Sequence, residues 1–237
     1  MGTWHINDPD NPMFSQIKEQ VEKFKPEVIL VERLQPIAAT AREAAGNLLD
    51  AGFCRYIGYT KQIPVYTWDF SWNMPYYCAL SSFKPDELMV TMVAFQNGLF
   101  AQLDIQEFEE YYREQVNNME AGGWTFTPEQ KEMAYFRKAY QSFFGERLVE
   151  KSGKDFARQL WKNHESPRFL SIFHTVQYAR DAQLIAVLKQ QLEKYDRVFV
   201  QAGSSHGVSV GPLLPESSAR WKIAQSGCRR YSANGSR

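Results

Sequence analysis

Residues 197–206 read RVFVQAGSSH, a short apolar, β-branched burst that runs into a glycine turn and ends on a histidine. A run of this length, bounded by glycine, suits a strand buried on both faces of a parallel sheet. The opening of the chain repeats the turn: residues 2–5 are GTWH, again glycine, two residues, histidine. Further along, EVILVE at 27–32 is a second burst ending on Glu32, and IPVYTW at 63–68 is a third, ending beside Asp69. Helical spacing fills the intervals. Phe14, Ile17, Val21 and Phe24 recur before Lys25 and Pro26; small and apolar residues occupy 37–59, where Gly46, Gly52 and Gly58 leave one helix or two; and Leu184, Ile185, Leu188 and Leu192 line one face of a helix over 173–195. Strands alternating with helices predict a mixed α/β fold, with a central, largely parallel sheet flanked by helices.

At 237 residues, 44% of them hydrophobic and 14% aromatic, the chain reads as one domain, 1–237, able to bury a substantial core. Residues 85–165 differ in texture, acidic and aromatic around Glu107, Glu109, Tyr111 and Tyr112, and are expected to form a helical cap inserted into the domain. Within them, Thr127, Pro128 and Glu129 supply an N-cap and an N1 proline for a helix bearing Met133, Phe136, Tyr140 and Phe144. The segment 216–237 is basic and aperiodic, and is expected to be a poorly ordered tail. Lys+Arg and Asp+Glu both number 27, so no net field favours nucleic acid. The expected partner is a small-molecule or peptide substrate. No run approaches the roughly 18 apolar residues of a membrane span. The chain as written reads as cytoplasmic, and as exported or periplasmic if its natural start lies further upstream. Cys54, Cys78 and Cys228 are odd in number and far apart, which reads as reduced thiols.

In parallel sheets ligands bind beyond the carboxyl ends of the strands. His5, Glu32, Asp69 and His206 all fall at such ends, with Gly2 and Gly203 letting the backbone turn tightly beneath a bound group. Two imidazoles and a carboxylate recur as ligands of divalent ions such as manganese, cobalt, zinc or iron, which polarise a carbonyl or acidify bound water. An isolated strand-end histidine is more often an ordinary hydrogen-bonded residue, but the matched turns argue for a shared site. Strand-end carboxylates commonly cap helices or pair with bases, the competing reading for Glu32 and more strongly for Asp69. Arg180, in YARD at 178–181 at the head of a helix, offers a planar fork for a carboxylate or oxyanion, or else pairs with Asp181 or Glu193. His164 and His174 lie in helical stretches without the turn and are left outside the site.

Taken together these residues resemble the TraB/Tiki and erythromycin-esterase-like superfamily, which includes the ChaN-type haem-binding lipoproteins. The likeness runs nearly end to end: GTWH and GSSH match its two GxxH turns, VILVE its acidic strand, IPVYTWD its next strand with a terminal acid, and Arg180-Asp181 its arginine-led helix. The resemblance implies His5, Glu32, Arg180 and His206 as the functional set, with Glu43 in AREAAG (41–46) as a second acid. It implies a metal-dependent hydrolase of an ester or amide, the metal held by His5, His206 and Glu32 and the oxyanion by Arg180. In the metal-free form of such a site one histidine acts as general base and a Glu orients it. The alternatives are a haem or small-ligand binder of the ChaN-like type, or an inactive interaction domain. The family's first GxxH follows a strand, whereas only Met1 precedes Gly2 here, so that strand is expected to be missing.

Overall fold

The computed structural model describes residues 1–69, 73–95, 108–149, 159 and 166–211. The readings on Glu107, His164, Cys228 and the tail 216–237 lie outside the described residues. The chain divides into two compact units, Met1–Phe70 with Asp181–Arg237, and Ser71–Arg180.

The first unit is the α/β part. In chain order it contains β1 (Gly2–Thr3), α1 (Pro12–Phe24), β2 (Val28–Val31), α2 (Ala41–Asn47), α3 (Leu49–Thr60) and β3 (Val65–Thr67). All four residues of β2 are fully buried, as a central strand requires. Helix α1 starts where Asn11 caps the Met13 amide and Pro12 enters the first turn; it stops at Lys25, which turns left-handed at φ 51° before Pro26. The small-residue stretch forms two helices, separated at Leu48, and the next residue, Leu49, has φ 58°.

Every strand pairing among the described residues is parallel. Ile29, Leu30 and Val31 register with Val65, Tyr66 and Thr67, while Val28, Ile29 and Leu30 register with Val198, Phe199 and Val200 of β4 (Val198–Val200). Past β4 the same segment changes partner: β5 (Ala202–Gly203) pairs with β1, Gly2 opposite Ala202 and Thr3 opposite Gly203. The Gln201 amide donates to Leu30 and the next amide, Ala202, donates to Met1, so consecutive amides point to opposite edges. Gly2 and Thr3, the first two residues of the GTWH turn, thus form a two-residue strand along 202–203.

Apolar side chains cover both faces of this sheet. Ile29, Val31 and Phe199 pack with Phe14, Ile17 and Val21 of α1 and Phe53 and Ile57 of α3. Leu30, Ala202 and Trp68 pack with Leu184, Val187 and Leu188 on the long helix Pro167–Leu192. Each fully buried aliphatic side chain contributes about 1.5–3 kcal/mol, so the sheet is anchored from both sides. Asp50, in the first turn of α3, approaches from one face and Asp181, on the long helix, from the other. The long helix starts at Pro167, six residues before the start expected from sequence, so Arg180 sits mid-helix and not at its head.

The second unit is helical: α4 (Asn73–Leu80), α5 (Pro85–Phe95), α6 (Phe108–Ala121), α7 (Met133–Phe144) and the part of the long helix, α8, up to Arg180. Its core joins Leu88, Met89, Val93, Tyr111, Phe136, Tyr140 and Ile172. The Tyr111 hydroxyl donates to the Val93 carbonyl at 2.8 Å, which satisfies a buried phenol inside that core. Helix α6 ends at Ala121, and Gly123 turns at φ 90° before Trp124. The expected helix start at Thr127 and Pro128 is corrected. Thr127 and Gln130 cap each other's amides around a short 3-10 turn, Glu129–Lys131, and α7 begins only at Met133.

Among the described residues no helix is long and apolar enough to cross a membrane.

Candidate functional site

The site lies in the α/β unit, where β1, β2 and β5 end side by side. Its centre is Gly203. A Cβ built on Gly203 would stand 3.5 Å from His5 Nε2, 3.6 Å from Glu32 Oε2 and 3.9 Å from His206 Cδ2. Three side chains separated by up to 201 positions in the chain thus converge on one atom-sized position. The glycine amide donates to Glu32 Oε2 at 3.1 Å, and His5 Nε2 stands 3.6 Å from the same oxygen.

Each histidine is held from behind by a carboxylate on a helix. His5 Nδ1 bonds Asp50 Oδ1 at 3.0 Å, and His206 Nδ1 bonds Asp181 Oδ1 at 2.6 Å. Burial pushes the Asp50 carboxyl up, but the hydrogen bond and charge of His5 and the Thr3 hydroxyl outweigh it and hold the group below the usual aspartate range. Asp50 is therefore a carboxylate, able only to accept, so the proton in this hydrogen bond sits on His5 Nδ1. The Nε2 atom faces the convergence point.

The two dyads differ in exposure. The His5 side chain is 51% exposed, while those of His206 and Asp181 are 3% and 10% exposed. His206 is further enclosed by Trp68, whose ring meets it edge-on at a centroid distance of 5.1 Å. Trp68 is itself pinned: its Nε1 donates to the Gln201 carbonyl at 2.9 Å, and its own carbonyl accepts from Gln183 Nε2 at 3.0 Å.

Behind the strand ends runs a buried polar network. Thr3 Oγ1 donates to Asp50 Oδ2 and lies 2.9 Å from the Ala202 carbonyl. Gln201 Nε2 donates to Asp50 Oδ2 at 2.7 Å and to Thr3 Oγ1 at 3.1 Å, while Gln201 Oε1 accepts from the Glu32 amide at 3.0 Å. The two turns also touch directly. A Cβ on Gly2 would stand 3.3 Å from the Ser204 Cα, and one on Gly207 would stand 3.3 Å from the Gly2 Cα. Helix α9 (Ser204–Val210) packs against β1 through this close backbone approach.

Of the residues expected from sequence, His5, Glu32 and His206 are brought together around Gly203, while Gly2 packs against the backbone of Ser204 and Gly207. Glu43 caps a helix instead. It sits three residues after the N-cap Thr40 on α2 and accepts from the Ala39 amide at 2.9 Å, exposed to solvent. Asp69 is half-buried past the end of β3, and its carbonyl accepts from the Thr67 hydroxyl at 3.2 Å. Arg180 belongs to the helical unit, where it is buried and its Nη1 donates to Gln177 Oε1 at 3.4 Å. Among the described residues no group of three or more His, Cys, Asp or Glu side chains is placed to hold a metal ion. Glu32 gives one oxygen to the Gly203 amide, and Asp50 and Asp181 are engaged behind the imidazoles.

Sequence reasoning missed Asp50 and Gln201. Each was signalled by a polar residue interrupting an apolar run, Asp50 in LLDAGFC (48–54) and Gln201 in VFVQA (198–202).

Comparison with family models, with curated proteins and with solved structures finds no match for this chain.

Proposed function

We propose that the α/β unit is a hydrolase of carboxyl ester or amide bonds, working through its two histidine–carboxylate dyads. The observation that carries this reading is the convergence of His5, Glu32 and His206 on Gly203 with both imidazoles fixed at Nδ1. With His5 in its neutral form, its Nε2 and Glu32 Oε2, 3.6 Å apart, are two acceptors. A water between them donates one hydrogen to each and turns its lone pairs outward. Attack on a carbonyl then moves one proton to His5 Nε2, and the Asp50 carboxylate stabilises the imidazolium that forms. His206, when protonated on both ring nitrogens and paired with the Asp181 carboxylate in a water-poor setting, donates its Nε2 hydrogen to the developing oxyanion. Collapse of the tetrahedral intermediate returns the His5 proton to the departing alkoxide or amine, so the cycle closes without a co-reactant.

The more exposed dyad is the one that exchanges protons with substrate and water, and the enclosed one keeps a fixed hydrogen-bonding role. A panel of carboxyl esters, assayed with the wild type and with His5→Ala and His206→Ala, tests the reading. Turnover lost in both variants supports one common site. Turnover unaffected by either removes the site from the chemistry.

The resemblance to the erythromycin-esterase-like proteins supports the same class of reaction. The family's metal-dependent form would draw on His5, His206 and Glu32.

A further inference from the structure

We propose that Gln201 is the positioning residue that locks His5 and Glu32 into one working geometry, by holding the Asp50 carboxylate with one end of its amide and the Glu32 backbone with the other. The kinetic part of this inference rests on the hydrolase reading; the structural part does not.

Gln201 is fully buried, and both hydrogens and the oxygen of its amide are directed at the site's support. One Nε2 hydrogen reaches Asp50 Oδ2 at 2.7 Å and the other reaches Thr3 Oγ1 at 3.1 Å, while Oε1 takes the Glu32 amide at 3.0 Å. Only a primary amide can donate twice and accept at once from this position. Asparagine is too short to span the same points, a glutamate would set an acceptor against Asp50 Oδ2, and an aliphatic residue would leave the Glu32 amide and Asp50 without partners.

Position matters as much as chemistry. Gln201 is the residue between β4 and β5, where the segment exchanges the β2 edge for the β1 edge. Its side chain thus stands where the ends of β1 and β2 can both be reached. It also shares a sheet face with Phe199, on the side covered by α3, the helix that bears Asp50. The result is a chain from the Glu32 amide through Gln201 to Asp50 and on to His5 Nδ1. A shift of Gln201 would move the base and the water-orienting carboxylate apart.

The test uses Gln201→Glu, which keeps the acceptor for the Glu32 amide and reverses the polarity toward Asp50. The first readout is the tautomer of each histidine ring, from nitrogen-15 shifts at a pH where the rings are neutral. The expected result is that His5 changes from a single Nδ1–H tautomer to a mixture, while His206 keeps its tautomer. The second readout is ester turnover, with kcat falling about a hundredfold and KM staying within about twofold, as expected for lost alignment. The paired variant Gln201→Glu with Asp50→Asn sets a donor against an acceptor again and is expected to recover the single His5 tautomer. That paired variant also decides the matter if Gln201→Glu alone does not fold, because a mixed His5 tautomer in it would overturn the proposal. An unchanged His5 tautomer in Gln201→Glu, or equal changes at His5 and His206, would overturn it too. If the wild type hydrolyses no ester, the hydrolase reading falls and the tautomer result still decides the role of Gln201.

Discussion

The His206 imidazole and the Asp181 carboxylate form a bond of 2.6 Å, and both side chains are almost closed to solvent. Asp181 follows Arg180 directly, yet Arg180 bonds Gln177 and the aspartate serves the histidine. Asp181→Asn keeps the shape but removes the charge that stabilises a protonated ring. The expected outcome is a fall in kcat of about a hundredfold or more with little change in KM. Steady-state ester kinetics check it, and a change confined to KM would assign Asp181 to binding.

Gly203→Ala separates folding from function. The backbone at Gly203, φ −53° and ψ 150°, suits alanine, and the added methyl meets its neighbours at ordinary contact distances. The melting temperature is expected to hold or to rise by a few degrees, since Gly→Ala at a backbone position that suits alanine stabilises by about 0.4–1 kcal/mol. Turnover is expected to fall by about a hundredfold, because the methyl fills the position between His5 and Glu32. A fully active Gly203→Ala protein would place the reacting water elsewhere.

Asp50 predicts a dependence of stability on pH. Its folded pKa is depressed, so its contribution is fully present above the ordinary aspartate value of about 3.9 and is lost as pH falls through the lower folded value. Asp50→Asn turns an amide toward the donors on Thr3 and Gln201 and is expected to cost about 2 kcal/mol near neutral pH. Urea unfolding on the acid side of about pH 5 should show the gap between wild type and Asp50→Asn narrowing as pH falls below about 3.9. A gap that widens below about pH 3.9 would contradict the depressed carboxylate.

Removal of divalent ions with a chelator is expected to leave both ester turnover and the melting temperature unchanged. A thermal-shift titration with manganese, cobalt, zinc and haem, on wild type, His5→Ala and His206→Ala, checks this, because a ligand of the folded state raises the midpoint. A metal-specific rise lost in both variants would transfer the reaction to a metal-dependent form of the same site. A rise with haem alone, accompanied by a Soret band, would favour ligand binding.

Much of the fold was legible in the sequence, and so was half of the site. The strands announced themselves because a parallel sheet buried on both faces needs unbroken apolar runs such as VILV at 28–31, and the two GxxH turns were visible as a repeat. The partners behind the histidines were not legible. Apolar spacing records which face of a helix is buried but not what it is buried against, so Asp50, 45 positions from His5, had no visible partner. Asp181 was visible but was matched with its neighbour Arg180, since proximity in sequence is the only proximity a sequence displays. Glu43 was drawn toward the site by the family likeness, when its spacing from Thr40 already described a helix cap. The change of partner at Gln201 had no periodic signature, because the apolar rhythm of the segment continues through it.

The close fit of Gly2 against Ser204 and Gly207 has a consequence for how the protein matures. Thr3 and Ala202 are 199 positions apart, so the site closes a loop that takes in nearly all of the described chain. Loop closure of this span is slow and entropically costly, and non-local pairing lags behind local helices. During synthesis the helical unit and the β2–β3 pair can form while residue 206 is still inside the ribosome, but the dyads cannot meet. On the proposed hydrolase reading, the site is assembled only when β5 is delivered, so activity would appear late in folding.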